Sequence, residues 1–434
     1  MIHSKSKSVG IVTTARVTHA TPGAAYAKIP HREWETDADM VAPWYGRGGR
    51  NCDSSLKDIA RQLVEDNHRI HVVMGGGRRC FLNNKTMDPV HNLPGKRADG
   101  RNLIKTWEAR QEAKGARYQY VWNREQLQEV DDNVEYLLGL FDYSHMAFDA
   151  DRYERGKWSQ PSLSDMTEKA IRILRKNEKG YFLFVEGAAI DLAHHQNLAH
   201  KSLLEGIAMD RAVKTATDLT SEVDTLTMVT ADHSHVFNIA GYPVRGHSIL
   251  GKMDNSNEDY WYMPTDGKMF TTIHYANGPG PNRSLDLADI DTRKLNRGKH
   301  IWDTPRDGLP MTTVVYGNGP GPGRELDLTT VDTTALDFQF PAAVPIAYET
   351  HGGEDVSIYA QGPMSHLVSG NWEQHFIAHL MAYAACVGPD KSHCTEDGRE
   401  SSDFCNGAIQ GARAGKRELG FALMVVIAFV RYLL

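Results

Sequence analysis

Short apolar runs alternate with amphipathic stretches along most of the chain. Five runs have the composition of buried strands, at residues 9–14, 70–74, 182–185, 225–230 and 357–360. Four longer stretches have the spacing of amphipathic helices, at residues 56–67, 166–176, 201–220 and 373–385. This alternation predicts an α/β protein with a central, mostly parallel sheet flanked by helices. In such a sheet ligands bind beyond the carboxyl ends of the strands.

A tandem repeat interrupts this rhythm. The segment 271-TTIHYANGPGPNRSLDLADIDT-292 matches 312-TTVVYGNGPGPGRELDLTTVDT-333 at an offset of 41 residues. Two copies are too few for a solenoid, and their Gly-Pro runs favour tight loops, so we interpret residues 251–340 as a surface insert. The predicted domains are then an α/β core at 1–250 and 341–390, the insert, and a C-terminal segment at 391–434.

Composition narrows the class of protein. The chain has 434 residues, of which 41% are hydrophobic and 24% are charged, which is ordinary for a globular protein. A formal net charge of -7 argues against a nucleic-acid-binding surface. Five cysteines are present, so at least one lacks a partner within the chain. Two of Cys386, Cys394 and Cys405 could close a short loop, which would suit an oxidising compartment.

The C-terminal end has the pattern of a lipid-anchor signal. Residues 419–434 are mostly apolar but too few for a typical membrane span. Small residues at Asn406, Gly407 and Ala408 and a polar spacer precede them, as in a signal for a glycolipid anchor. Arg431 departs from this pattern. An amphipathic helix and a short transmembrane helix are the alternatives.

Carboxylates and imidazoles gather in four segments beside the predicted strands. They are 19-HAT-21, 186-EGAAIDLAHH-195, 231-ADHSH-235 and 349-ETHGGED-355. Three of these segments follow an apolar run and the fourth precedes one, so all lie near strand ends. A single histidine is most often an ordinary polar residue, but four such segments together favour a metal cluster. Imidazole and carboxylate suit zinc, whereas carboxylate and hydroxyl suit magnesium.

These segments resemble the animal, membrane-anchored alkaline phosphatases. The similarity is carried by 9-VGIVTTARVTHATPGAAYA-27, 72-VVMGGGR-78, 182-FLFVEGAAIDLAHH-195, 229-VTADHSHVF-237 and 349-ETHGGEDVSIYAQGP-363, and it covers nearly the whole chain. It implies an alkaline phosphatase-like fold with a small crown-like insert, and a homodimer. It also implies the hydrolysis of phosphate monoesters through a phosphoserine intermediate, on the outer face of the plasma membrane.

The resemblance implies two zinc ions and one magnesium ion. The first zinc would bind Asp191, His195 and His351, and the second would bind Asp232 and His233. Magnesium would bind Glu186 and Thr21, with His19 just behind it, and Arg32 would bind phosphate. Cys386 and Cys394 match the family's second disulfide.

The chain also departs from the family pattern. The family has Glu-Gly-Gly-Arg-Ile-Asp-His where this chain has Glu186-Gly-Ala-Ala-Ile-Asp191-Leu192. At the family's calcium-binding region Asp142 stands for a glutamate and Gln160 for an aspartate. Family members also carry an aspartate on their first strand and a nucleophilic serine in an Asp-Ser-Ala run, both upstream of the segment that opens this chain. The expectation is an N-terminally truncated chain whose nucleophile is absent.

Residues 52–55 do not supply the missing motif. Asp53-Ser54-Ser55 resembles the Asp-Ser-Ala run only in its letters, because it lies in a polar insertion ahead of a helix. The usual disulfide partner of Cys52 also belongs to the missing part.

Two functional classes therefore stand. The first is a phosphomonoesterase that is active in the complete gene product, and the second is a non-catalytic, metal-binding relative at the membrane surface. Asn84 and Asn282 lie in glycosylation sequons, which are expected on exposed loops of a secreted protein.

Overall fold

A computed structural model describes residues 7–41, 56–152, 160–243, 245–253, 267–280, 328–394 and 422–427. Its main feature is an eight-stranded sheet. In chain order the strands are β1 (Ser8–Arg16), β2 (Val72–Gly76), β3 (Tyr118–Val121), β4 (Tyr136–Leu140), β5 (Tyr181–Glu186), β6 (Thr225–Thr230), β14 (Ile358–Gln361) and β15 (Ala422–Ile427). The spatial order is β14-β6-β15-β5-β1-β2-β4-β3, and every neighbouring pair is parallel except β14 with β6.

Shorter strands surround the sheet beyond the carboxyl ends of its central strands. β7 (Ser234–His235) pairs with β13 (His351–Gly352), and β9 (Lys252–Met253) pairs with β10 (Phe270–Thr271). A three-stranded sheet consists of β8 (Phe237–Ile239), β11 (Ile273–Gly278) and β12 (Ala342–Pro345). These additions bring distant parts of the chain to the same end of the central sheet.

Helices cover both faces of the sheet. The helices are α1 (Ala20–Tyr26), α2 (Asp37–Val41), α3 (Ile59–Arg61), α4 (Leu103–Ala113), α5 (Arg124–Glu129), α6 (Leu163–Leu174), α7 (Ala189–His194), α8 (Ala199–Leu219) and α9 (Phe376–Ala384). A π-turn at Gln62–Asp66 extends α3, and 3₁₀ turns lie at Arg78–Cys80 and Ser365–Val368. A capping box between Ser162 and Asp165 begins α6, since each side chain accepts a hydrogen bond from the other residue's backbone.

The central strands are buried on both faces, which explains their continuous apolar composition. Successive side chains of β1 point to opposite faces, so Val12 packs in one core and Ile11 in the other. The core around Val12 includes Leu183 and the buried residues of α6 and α8. Two-sided burial confirms the predicted α/β class with a mostly parallel sheet.

The sequence pattern located the long elements better than the short ones. All five predicted strands are present, as β1, β2, β5, β6 and β14, and the four predicted helices correspond to α3 with its π-turn, α6, α8 and α9. The apolar pattern does not indicate α4, α5, α7, β3 or β4. Strand β3 lies at the edge of the sheet and its side chains are mostly half-buried, so its sequence, Tyr-Gln-Tyr-Val, lacks a long apolar run.

The C-terminal apolar segment contributes a central strand that the sequence analysis did not anticipate. Strand β15 lies between β5 and β6 and is parallel to both, with Val425 opposite Phe184 on one side and Met228 on the other. The sequence pattern instead favours an anchor signal here, with an amphipathic helix or a short transmembrane helix as the alternatives. In the part of the chain that the structure describes, no helix has the length and hydrophobicity needed to cross a membrane.

The predicted insert lies mostly outside the described residues, as do Cys52, Cys405 and Asn282. From the first copy of the repeat the structure describes β11, which pairs with β8 and β12 and joins the insert to the core. The predicted domain boundaries therefore stay a prediction. The Cys386–Cys394 disulfide is confirmed, and it closes a short loop after α9.

Replacing Val425 with proline tests the position of β15. Proline has no N–H group and cannot take part in the hydrogen-bond ladder of an interior strand. Because β15 pairs on both sides, we expect Val425→Pro to lower the free energy of unfolding by about 2–3 kcal/mol more than Val425→Ala, which keeps the N–H group. Urea denaturation followed by circular dichroism measures the difference. Equal stabilities of the two variants would show that Val425 lies outside the sheet.

Candidate metal centre

Titratable side chains meet at the carboxyl ends of β5 and β6. Glu186 is the last residue of β5, and α7 begins three residues later and carries Asp191. Asp232 and His233 follow β6 directly. Because both strands run in the same direction beside β15, their ends lie at one edge of the sheet. The antiparallel pair β7 and β13 places His351 opposite His235 above this edge.

Asp191 is the focus of the cluster. Its Oδ1 atom lies 2.9 Å from Nε2 of His235, 3.1 Å from Nε2 of His195 and 3.4 Å from Nε2 of His351. The Nε2 atoms of His195 and His351 are 3.2 Å apart. Among the described residues, neither Oδ1 of Asp191 nor Nε2 of His235 has a hydrogen-bond partner of good geometry, although both atoms are buried. Buried polar atoms that face one another without hydrogen bonds fit a site for a cation.

His233 joins the same group from the loop after β6. Its ring stacks on that of His351 with centroids 3.4 Å apart. Asp191, His233, His235 and His351 can each supply one ligand atom, and these four atoms lie within 4.8 Å of one another. His195, His235 and Glu349 form a second, overlapping group of the same kind. Imidazole nitrogen with carboxylate oxygen is the donor set of zinc sites.

The structure thus brings Asp191, His195, His233 and His351 close together. Asp232 is the immediate neighbour of His233, with its Oδ2 atom 3.3 Å from Nε2 of that ring. The division of these residues between two zinc ions stays a prediction.

The charges in the cluster are strongly coupled. Burial opposes ionisation of Asp191, but the three imidazoles around it hold the pKa of its carboxyl well below the usual range. Burial likewise opposes a charge on His195, and the carboxylates of Asp191 and Glu349 nevertheless raise the pKa of that imidazole to about 10. Without a metal, a proton on His195 therefore balances the negative charge of Asp191. A divalent cation would replace that proton.

Glu186 has a different environment. It is buried, and one of its oxygens accepts a hydrogen bond of 2.6 Å from the hydroxyl of Thr13, its partner across β1 and β5. The hydroxyl of Thr21 is also hydrogen-bonded to it. Burial, with Asp232 and Asp191 nearby, raises the pKa of Glu186 to about 7. A carboxylate beside two hydroxyl groups offers oxygen ligands only, which magnesium prefers.

His19 and Arg32 lie on the N-terminal side of the centre. His19 precedes α1, and its removal from water, together with the charges of Arg16 and Arg32, lowers the pKa of its imidazole to about 3. It is therefore neutral at physiological pH. The Arg32 side chain is 57% exposed, and its nearest carboxylate, Glu33, is 3.8 Å away. A guanidinium that is only weakly paired and faces solvent is accessible to an anion.

The region of Asp142 and Gln160 differs from an oxygen-lined calcium site. The amide group of Gln160 donates a hydrogen bond to Asp142, and the Ser144 N–H group does so at 3.2 Å. Nε2 of His91 lies 3.1 Å from Oδ1 of Asp142, the oxygen that accepts the hydrogen bond from Ser144, whereas Gln160 donates to Oδ2. Nitrogen donors therefore surround this carboxylate, whereas calcium prefers six to eight oxygen ligands.

Three residues that contact this cluster of side chains, Thr13, His235 and Glu349, cannot be recognised from the motifs alone. His235 and Glu349 stand inside the quoted segments but received no role, and Thr13 was assigned only to a strand. One signal was available for His235, because alternate residues in an extended segment share a face and His233 precedes it by two. Glu349 gave no comparable signal, since its role depends on pairing between β7 and β13.

Comparison with known proteins agrees with this geometry. The sequence profile of the alkaline phosphatase family matches residues 1–387. The tissue-nonspecific alkaline phosphatase of Gallus gallus is 39% identical over 407 residues, covering 92% of this chain and 67% of the relative. The enzyme of the same description from Homo sapiens is 41% identical over 400 residues, covering 89% and 65%. This chain belongs to the alkaline phosphatase family.

The chain spans about two thirds of the length of the curated relatives it matches. Among solved structures, the alkaline phosphatase of Thermus thermophilus is 29% identical, with a TM-score of 0.43 over 55% of this chain and 42% of that one.

Zinc affinity should rise with pH well into the alkaline range. Because His195 is protonated below a pKa of about 10, zinc must displace its proton, and affinity should increase roughly tenfold per pH unit until that pKa. An unperturbed imidazole would instead give a plateau above its ordinary pKa of about 6.5. Competition with a chromophoric chelator between pH 7.5 and 9.5 distinguishes the two. A flat affinity over this range would contradict the coupling of His195 to Asp191.

Proposed function

We propose that the complete protein is an alkaline phosphatase, a metal-dependent hydrolase of phosphate monoesters. The observation that carries this proposal is the convergence of three imidazoles on one carboxylate oxygen of Asp191, at the sheet edge where Glu186 ends β5. Membership of the alkaline phosphatase family supports the same activity and the use of two zinc ions and one magnesium ion.

The chain's own residues divide into two ligand environments. Asp191, His195 and His351 would hold one zinc, and Asp232 with His233 would hold the other. Glu186 and Thr21 would hold magnesium, with His19 as a neutral neighbour. Zinc ions, when bound, supply Lewis-acid stabilisation of the attacking and leaving oxygens of an in-line displacement. The buried carboxylates and imidazoles fix where that charge would lie.

Arg32 is the proposed phosphate-binding residue. Its guanidinium can donate two parallel hydrogen bonds to phosphate oxygens, which a lysine cannot do. The positive charge of Arg32 acts electrostatically on the metal centre, because it contributes to lowering the pKa of His19. Half-exposure allows it to meet a substrate that enters from solvent.

The family resemblance implies a metal-bridging aspartate on a first strand and a nucleophilic serine in an Asp-Ser-Ala run, both at positions that precede β1 in the sequence. Residues 1–434 contain no Asp-Ser-Ala run, and Asp53-Ser54-Ser55 lies at a different place in the order of motifs. The alternative function is therefore a non-catalytic relative that binds metal and phosphate at the membrane surface. A reading frame upstream of Met1 that encodes a signal peptide and an Asp-Ser-Ala run would favour the enzyme.

The polypeptide 1–434 expressed by itself should hydrolyse an aryl phosphate several orders of magnitude more slowly than a complete homologue. The expected loss follows from the absence of both a nucleophile and a metal ligand. Steady-state assays at alkaline pH with zinc and magnesium measure the rate. Rapid hydrolysis that persists in Arg32→Ala would contradict both the missing nucleophile and the role of Arg32.

In the complete gene product Arg32 can be tested directly. We expect Arg32→Ala to lower kcat/KM about 10–100-fold and to weaken inhibition by inorganic phosphate, with Arg32→Lys recovering only part of the loss. Unchanged phosphate inhibition in Arg32→Ala would remove Arg32 from the site.

The proposed location is the outer face of the plasma membrane, where the protein would be a glycosylated homodimer held by a glycolipid anchor. Exposure of Asn84 is compatible with a glycan at this sequon. The Cys386–Cys394 disulfide suits the oxidising setting. Anchor attachment near Asn406 would remove residues 419–434 and with them β15. Residues 422–427 therefore cannot be removed with an anchor signal and also form β15 in the mature protein.

An epitope placed after Leu434 distinguishes the two uses of the C-terminal segment. If the anchor forms in animal cells, the mature protein should lack the epitope and a phosphatidylinositol-specific phospholipase C should release it from the cell surface. If β15 stays in the sheet, the mature protein should keep the epitope. An epitope inserted after Gly246, an exposed turn, controls for expression in both cases.

A further inference from the structure

Residues 142–148, which follow β4, form a loop that rests on the end of the sheet where the candidate metal centre lies. The Met146 N–H group donates a hydrogen bond of 2.9 Å to the Thr14 carbonyl in β1. The Phe148 ring packs in one small core with the buried apolar residues of α7. Because α7 carries Asp191, the position of the 142–148 loop supports the placement of the metal centre.

A single side chain, the amide of Gln160, holds both ends of this loop. Its Oε1 atom accepts a hydrogen bond of 2.8 Å from the Ala147 N–H group, and its Nε2 atom donates one to Oδ2 of Asp142. Gln160 is 1% exposed and Asp142 is 4% exposed, so this contact is shielded from water. The loop is therefore closed by a buried cross-link that the chain itself supplies.

The partners of Gln160 fix the orientation of its amide group. A backbone N–H group can only donate, so Ala147 must face Oε1, and the NH₂ group must then face Asp142. A rotated amide would set two donors against each other and Oε1 against a carboxylate. On the other oxygen of Asp142, Oδ1, the Ser144 N–H group and Nε2 of His91 lie at 3.2 and 3.1 Å. Nitrogen atoms thus lie beside both oxygens of this carboxylate.

Burial makes the charge of residue 160 important. The family pattern has an aspartate where this chain has Gln160, so two carboxylates would face each other at this place. Two buried carboxylates in contact repel each other unless a cation lies between them, and calcium does this with oxygen ligands. In this chain the amide removes one of the two negative charges. It also directs hydrogen atoms, instead of an oxygen atom, at Asp142.

We propose that the Gln160 amide replaces the calcium ion of the family as the cross-link of the 142–148 loop, and that this one amide excludes calcium from the site. The chain then holds the loop beneath α7 without a cation. The inference concerns residues apart from the candidate zinc and magnesium ligands. It therefore stands or falls independently of whether the complete protein hydrolyses phosphate esters.

Replacing Gln160 with aspartate should make the polypeptide 1–434 depend on calcium. In calcium-free buffer the carboxylate of Gln160→Asp would face Asp142, so its melting temperature should lie below that of Gln160→Asn, which has the same size without the charge. About 1 mM Ca²⁺ should raise the melting temperature of Gln160→Asp by several degrees and leave Gln160→Asn and the wild type unchanged. Zinc and magnesium concentrations are held constant in all samples, and circular dichroism follows the melting.

A second substitution shows where calcium acts. Adding Asp142→Asn to Gln160→Asp should abolish the calcium response, because one of the two facing carboxylates is then lost. A response that survives in the double variant would place calcium elsewhere and overturn the proposal. A folded Gln160→Asp that does not respond to calcium would also overturn it, since the amide would not be what excludes the ion. So would a wild-type response to calcium that Asp142→Asn abolishes.

The wild-type chain provides a measurement that needs no variant to fold. Because Gln160 accepts its hydrogen bond, the Ala147 N–H group should exchange slowly with deuterium in calcium-free buffer, and calcium should not change the rate. The exposed Gly246 serves as the reference for rapid exchange, with mass spectrometry after fragmentation as the measurement. If Ala147 exchanges as rapidly as Gly246 without calcium and becomes protected when calcium is added, the loop is held by the ion and the proposal is wrong.

Discussion

The parallel pairing of β1 with β5 is the constraint on which the site depends. It sets Thr13 directly opposite Glu186, the last residue of β5, so that a hydroxyl and a carboxylate meet where β5 ends, while β1 continues to Arg16 beside β2. From that point one chain segment enters α1 and the other enters α7. A shift of one residue in this register would turn Glu186 toward the opposite face and separate it from Thr13.

The candidate metal centre places several ionisable side chains in a buried region, where folded proteins usually avoid charge. Asp191 and Glu349 both contact His235, and Glu186 contacts Thr13, so each carboxylate is stabilised by a neighbour from another part of the chain. Such an arrangement costs free energy in the absence of a compensating cation, since every carboxylate must be desolvated. The balance shifts when a divalent ion binds, which links the stability of this end of the molecule to its metal content.

How well the sequence predicts an element or a site residue depends on how far apart in the chain the interacting residues lie. Local periodicity was sufficient for β1, β5 and β6, because strands buried on both faces must be apolar throughout. It was also sufficient to place Asp191 and His233 near strand ends. It was insufficient for Glu349, whose neighbours at His195 and His235 are joined to it only by tertiary pairing. It failed for β15, because the same apolar composition suits a lipid environment and a protein core.

The position of β15 has a consequence for how the chain is made. Strand β6 ends at Thr230 and β5 at Glu186, whereas the strand that lies between them begins only at Ala422, so for much of synthesis each presents a bare hydrogen-bonding edge. The gap can close only by joining segments very far apart in sequence, and contacts of that range form slowly. The nascent protein is therefore exposed to mispairing with other chains for longer than a fold completed in chain order.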